Sequence, residues 1–181
     1  MATEPIEGPE ERTAQAADVP QGAVLAGVVP GQSSRVMLEA ARYAKLLGAP
    51  LAIIHVDVTR FVTFEDPDGY VHTAPVDLDV SDGAPQLETV RRQAEEALVS
   101  CPVPWSVHQL VGDPALALKH LADKVDAKLL VVGTRKRGLG ESIREFFTGS
   151  VAARLSHRQH RPVLVVPLGD PVPDDEEIAW T

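Results

Sequence analysis

Five short apolar runs, each separated from the next by a stretch of helical spacing or a loop, limit what this chain can fold into more than any other feature. They are Ala23–Val29 (AVLAGVV), Leu51–Val58 (LAIIHVDV), Val103–Val111, Lys128–Gly133 (KLLVVG) and Pro162–Pro167 (PVLVVP). Continuous apolarity over so few residues is what a strand covered on both faces requires. The third run alternates instead, at Val103, Trp105, Val107 and Gln109. None approaches the roughly 20 residues needed to cross a membrane.

The intervening segments read as helices over 33–48, 84–99, 113–125 and 150–157. In the first, Val36, Ala40, Tyr43 and Leu47 repeat on one face while Arg35, Glu39, Arg42 and Lys45 face away, and Gly48 can end it in a left-handed conformation. In the second, Leu87, Val90, Ala94, Ala97 and Leu98 line one side, and Pro85 is tolerated near the start. In the third, Asp113 is placed to cap and Pro114 fits the first turn. Strands joined by single helices imply right-handed crossovers and a parallel α/β sheet. Ligands of such sheets sit beyond the carboxyl ends of the strands, where strand order reverses. The segments after Val29 and after Val132 are therefore the places to look.

Charge separates the ends from the middle. The chain of 181 residues carries a net charge of -9. Glu4, Glu7, Glu10, Glu11 and Asp18 outweigh Arg12 at one end, and Asp170, Asp174, Asp175, Glu176 and Glu177 are unopposed at the other. The expected organisation is an acidic tail over 1–21, one domain over 22–168 and a second acidic tail over 169–181, because such compositions bury too little apolar surface to order themselves. Acidic ends also oppose nucleic-acid binding, which needs basic surface. The first 21 residues lack the apolar stretch of a secretory signal, and the lone Cys101 allows no internal disulfide, so a reducing cytoplasm is the expected location.

Three stretches taken together, VLAGVVPGQSSRVMLEAARYAKLLGAPLAIIHV (24–56), LVGDPALALKHLADKVDAKLLVVGT (110–134) and TGSVAARLSHRQHRPVLVVP (148–167), resemble the universal stress protein family. The resemblance implies a single-domain three-layer α/β/α sandwich. Its five-stranded parallel sheet has order 3-2-1-4-5, Rossmann-like and similar to the adenine nucleotide alpha hydrolases. It also implies a homodimer paired through Pro162, Val163, Leu164, Val165 and Val166, and a stress-response regulator rather than an enzyme. The implied ligand is ATP or another adenine nucleotide with Mg²⁺, or another phosphorylated molecule. No membrane or nucleic-acid partner is implied.

Nucleotide-binding relatives resemble one another in a loop of Gly, two residues, Gly, nine residues, then Gly-Ser or Gly-Thr, in which glycines let the backbone approach phosphate and amides at a helix start donate to it. Gly133 matches the first position, and Gly149 and Ser150 the last pair. The second glycine position holds Lys136, and Gly138 or Gly140 is left to take its part in a longer loop. Arg135 stands beside that site and offers charge instead of close backbone approach. Val56 and Val132 match positions where the family packs adenine. Val29 stands where nucleotide-binding relatives carry Asp, and losing such a hydrogen bond costs on the order of 1 kcal/mol. These departures support an alternative, an interaction protein that keeps the fold with a degenerate site.

Other residues read as structural. His55 suits a packed, hydrogen-bonded role in a strand. His157 and His160 lack further ligands for a metal and sit among arginines. No catalytic residue and no metal ligand is expected, and a slow ATP hydrolase is the weakest reading because no residue is placed to activate water. The stretch 59–83, with its turn-forming Asp66-Pro67-Asp68-Gly69, is expected to form a small hairpin over the site or an interface.

Overall fold

A computed structural model describes residues 18–65, 71–75, 84–134 and 151–169. The main sheet consists of β1 (Val24–Val28), β2 (Leu51–Asp57), β5 (Trp105–Val111), β6 (Leu129–Gly133) and β7 (Val163–Val166), in the order β5-β2-β1-β6-β7. All four pairings are parallel. With the strands of a separate hairpin left out of the count, this is the expected order 3-2-1-4-5. The hairpin is β3 (Arg60–Glu65) paired antiparallel with β4 (Val71–Pro75). Its expected turn at 66–69 lies outside the described residues.

Helices cover both faces. On one lie α1 (Arg35–Leu47) and α2 (Ala84–Ala97), and on the other α3 (Pro114–Lys124) and α4 (Val151–Arg158). Strand alternation sorts the core accordingly. Leu51 and Ile53 of β2 pack with Val36 and Ala40 of α1 and Val90 of α2. Ala52, Ile54 and Val56 pack with Leu118 and Leu121 of α3 and Leu155 of α4. Val19 joins the second group. Each fully buried Leu or Ile here contributes about 1.5–3 kcal/mol. No helix among the described residues is long and apolar enough to cross a membrane.

One expected core position differs. In α1 the buried residues are Val36, Met37, Ala40 and Ala44, whereas Leu47 is 43% exposed. Gly48 ends the helix in the left-handed conformation, and the Leu47 carbonyl accepts from Lys128 just ahead of β6. The last turn thus lies at the amino edge of the sheet, and Leu47 stays exposed there.

Asp113 does cap α3: its Oδ1 accepts from Leu116 N at 2.9 Å. Its Oδ2 also accepts from Arg154 Nη1 of α4 at 2.6 Å, so one carboxylate joins two helices. Burial works to raise the Asp113 pKa. The Arg154 hydrogen bond, the Leu116 amide and the Arg154 charge outweigh it and hold the carboxyl below its usual range.

Two histidines are buried within the sheet. His55 Nε2 lies 3.2 Å from Gln86 Oε1, and His108 Nε2 lies 2.7 Å from Ser106 Oγ. Burial pushes both below the ordinary value of 6.5. For His55 the Val28 backbone, Gln86 and Asp57 pull the other way without prevailing. For His108 the Asp18 charge also opposes the shift, while Arg91 adds to it.

These buried groups make stability depend on pH. A base with a lowered folded pKa leaves the unfolded state binding more protons, so stability is complete above the ordinary value and is lost as pH falls through it. Urea midpoints should therefore fall between about pH 7.5 and about pH 5.5, by at most about 1.4 kcal/mol per pH unit for each histidine. The slope should flatten in His55→Gln and in His108→Gln, and a flat wild-type profile would refute the account. Separately, Asp113→Ala should cost about 1–2 kcal/mol through loss of the cap. Asp113→Asn, which keeps an acceptor for Leu116, should cost less; equal losses in chemical denaturation would show that the ion pair dominates.

Candidate functional site

Strand order reverses between β1 and β6, where Gly27 lies opposite Val132. The chain runs from β1 outward to β2 and β5 on one side, and from β6 to β7 on the other. The crossovers therefore diverge at the carboxyl edge, the place where parallel sheets of this kind take their ligands.

Of the expected wall, Val56 and Val132 are buried in the cluster under α3 and α4. Gly27 keeps that cluster tight: a methyl group added there would sit 2.9 Å from Leu118 Cδ1 and 3.3 Å from Val132 Cγ1. Val29 lies just past the end of β1 and is 44% exposed, so it borders this edge and does not belong to the buried wall.

Gly133 closes β6 opposite Val166. Its surroundings account for the missing side chain. An added Cβ would collide with Gln32 Nε2 and approach Leu168 Cδ1 to 2.6 Å. Beyond it, Thr134 N donates to Val166 O at 2.9 Å, and Leu168 N donates to Thr134 Oγ1 at 2.8 Å. The chain leaving β6 is thus tied to β7 before the expected phosphate loop begins. Arg135, Gly138, Gly140, Gly149 and Ser150 lie outside the described residues.

The expected dimer residues form or flank β7, an edge strand among the described residues. Val163 and Leu164 are half-buried, Val165 is 42% exposed, Val166 is buried and Pro162 is exposed.

Sequence reasoning missed a polar set on the α1–α2 side of the same edge. Asp57 is fully buried at the end of β2. Its Oδ1 accepts from Thr59 N at 2.8 Å and Thr59 Oγ1 at 2.6 Å, and its Oδ2 from Gln109 Nε2 at 3.4 Å. A buried carboxylate survives when its oxygens are supplied with donors in this way. The signal was visible in LAIIHVDV, where His55 and Asp57 interrupt an apolar run two residues apart.

The turn after β1 carries a second polar device. Gln32 N donates to Val29 O at 3.2 Å, and Val29 N donates back to Gln32 Oε1 at 3.0 Å. Gln93 of α2 braces the turn: its Oε1 accepts from Gly31 N at 3.2 Å and its Nε2 donates to Gln32 O at 3.4 Å. Immediately beyond, α1 begins at Arg35, whose amide donates to Ser33 Oγ at 3.3 Å; Ser34 makes no side-chain cap. His55, held by Gln86, is the packed and hydrogen-bonded residue expected.

Comparison with known proteins agrees with this architecture. Residues 23–167 match the model of the universal stress protein family. A universal stress protein from Archaeoglobus fulgidus superposes with a TM-score of 0.57 at 22% identity, covering 81% of this chain and 94% of that one. A universal stress protein in complex with cAMP superposes with a TM-score of 0.54 at 26% identity, covering 83% of this chain and 100% of the other. The Archaeoglobus fulgidus protein in complex with dAMP gives 0.51 at 23% identity, over 81% and 97%. No match is found among curated proteins. The family match spans the five-stranded sheet and the four helices of the described residues, and on that ground the chain belongs to the universal stress protein family.

Proposed function

We propose that this universal stress protein is a stress-response regulator that binds an adenine nucleotide, or another phosphorylated ligand, at the carboxyl edge between β1 and β6. The observation that carries the reading is Gly133 at the carboxyl end of β6, where strand order reverses, with Val56 and Val132 in the apolar cluster on the α3–α4 side of the same edge. An adenine ring suits such a cluster, because its faces are apolar and its edge can be read by backbone groups. The phosphates would extend toward Gly133, Arg135, Gly138, Gly140, Gly149 and Ser150. Val29, exposed just past β1, adds apolar surface. The relative with cAMP bound, 26% identical, supports an adenine ligand.

In this reading Mg²⁺ would arrive with the phosphates. Asp57, the carboxylate described at this edge, has both oxygens engaged. No group of three metal-ligating side chains occurs among the described residues.

In this reading two copies pair through β7 in the cytoplasm. An open strand edge bearing Leu164 and Val165 is prone to unspecific pairing, and a two-fold partner covers it. The acidic tails expected over 1–21 and 169–181 fall mostly outside the described residues, but Val19 packs into the core beneath α3 and α4 and so belongs to the domain. A second reading, an interaction protein without a ligand, draws on Gln32 and Leu168, which fill the approach to Gly133.

Titration of ATP, ADP and AMP with Mg²⁺ decides between them. The wild type should bind with dissociation constants on the order of micromolar, and Gly149→Val should abolish binding with an unchanged melting temperature. Absence of binding at about millimolar nucleotide would leave the ligand-free reading standing. For the assembly, light scattering should show a dimer that Val165→Lys converts to a folded monomer. A monomeric wild type would refute pairing through β7.

A further inference from the structure

The Gln32 carboxamide is held in one orientation, and among the described residues its donor end meets no acceptor. The Val29 N–H lies 3.0 Å from one end of the amide and must face its oxygen, because an NH₂ group there would set donor against donor. The nitrogen is therefore turned to the other side, against the open face of Gly133. It meets no acceptor among the described residues, whereas the rest of Gln32 is fully used: its amide on Val29 O, its Oε1 on Val29 N and its carbonyl on Gln93 Nε2. Gln93 reaches across from α2 to fix the turn, so the amide is braced from behind by a second element.

Its position matters as much as its orientation. Gly133 ends β6, and Gln32 follows the end of β1, so the NH₂ stands against Gly133 at the pair of strands where order reverses. The amides opening α1 begin just three residues later and add the positive end of a helix on the same side. An amide nitrogen on a half-buried residue, fixed beside a helix start, is a ready donor to an oxygen-rich ligand.

We propose that Gln32 is a ligand-reading residue of this edge, its Nε2 donating to a phosphate or ribose oxygen of the nucleotide. This rests on the nucleotide-binding reading above and assigns to it a contact outside the glycine loop. The absence of a side chain at Gly133 then has a definite purpose, since any side chain there would displace the donor.

The substitution Gln32→Glu separates reading from scaffolding. A glutamate keeps an oxygen for Val29 N and so preserves the turn, but replaces the donor with a carboxylate. Full-length wild type, Gln32→Glu and Gln32→Ala should be titrated with AMP and with adenosine, with thermal melts as a check on folding. The expected result is AMP binding weakened at least about tenfold in Gln32→Glu and about five- to tenfold in Gln32→Ala. If adenosine affinity is unchanged in Gln32→Glu, the acceptor is a phosphate oxygen; if it falls in parallel, the acceptor is on the ribose. Binding of AMP by either variant as tight as, or tighter than, wild type would overturn the proposal and make the amide a plug. A wild type that binds neither compound would remove both this assignment and the nucleotide reading, whereas intact wild-type binding with indifferent variants removes this assignment alone.

Discussion

Everything in this molecule depends on the parallel pairing of β1 with both β2 and β6. A parallel ladder needs a crossover for every pair, and each crossover lays a helix on a face, so no face of the sheet is left to water. Strand interiors must then be apolar on both sides, as Val24, Leu25 and Ala26 are, all fully buried. The same geometry sends every strand's carboxyl end to one edge. Polar backbone and side-chain groups collect there because it is where the helices have not yet begun.

That edge is divided by the pleat of the strands. On the α3–α4 side, Val56 and Val132 continue the core up to that edge. On the α1–α2 side the polar residues gather: His55 with Gln86, Asp57 with Thr59 and Gln109, Gln32 with Gln93. Neutral amides dominate this set, and the one carboxylate in it has both oxygens engaged. The two sides of the edge therefore differ in kind, apolar beneath α3 and α4 and rich in neutral amides beneath α1 and α2.

The strands and helices were legible because their signals are local. A two-sided apolar run, a Pro after a capping Asp and a Gly at a helix end each act within a few residues, and Asp113, Pro114 and Gly48 behave as read. Leu47 was misread because helical spacing does not say where the sheet beneath a helix stops. Gly133 was legible as a glycine that something must approach, but the approaching groups include Gln32 and Leu168 of this same chain. The Asp113–Arg154 pair and the Gln93 brace join residues 41 and 61 apart, and no periodicity carries such information.

The sequence by itself determined the alternation of strands and helices, the family and the strand at which order reverses, because hydrophobic period and turn chemistry are properties of neighbouring residues. Only the tertiary structure decided which of those residues share an edge: the buried Asp57, the exposed Leu47, and the Gln32 amide turned toward Gly133. Such contacts are made when distant elements dock, and the free energy that orients those side chains does not exist until the sheet has closed around them.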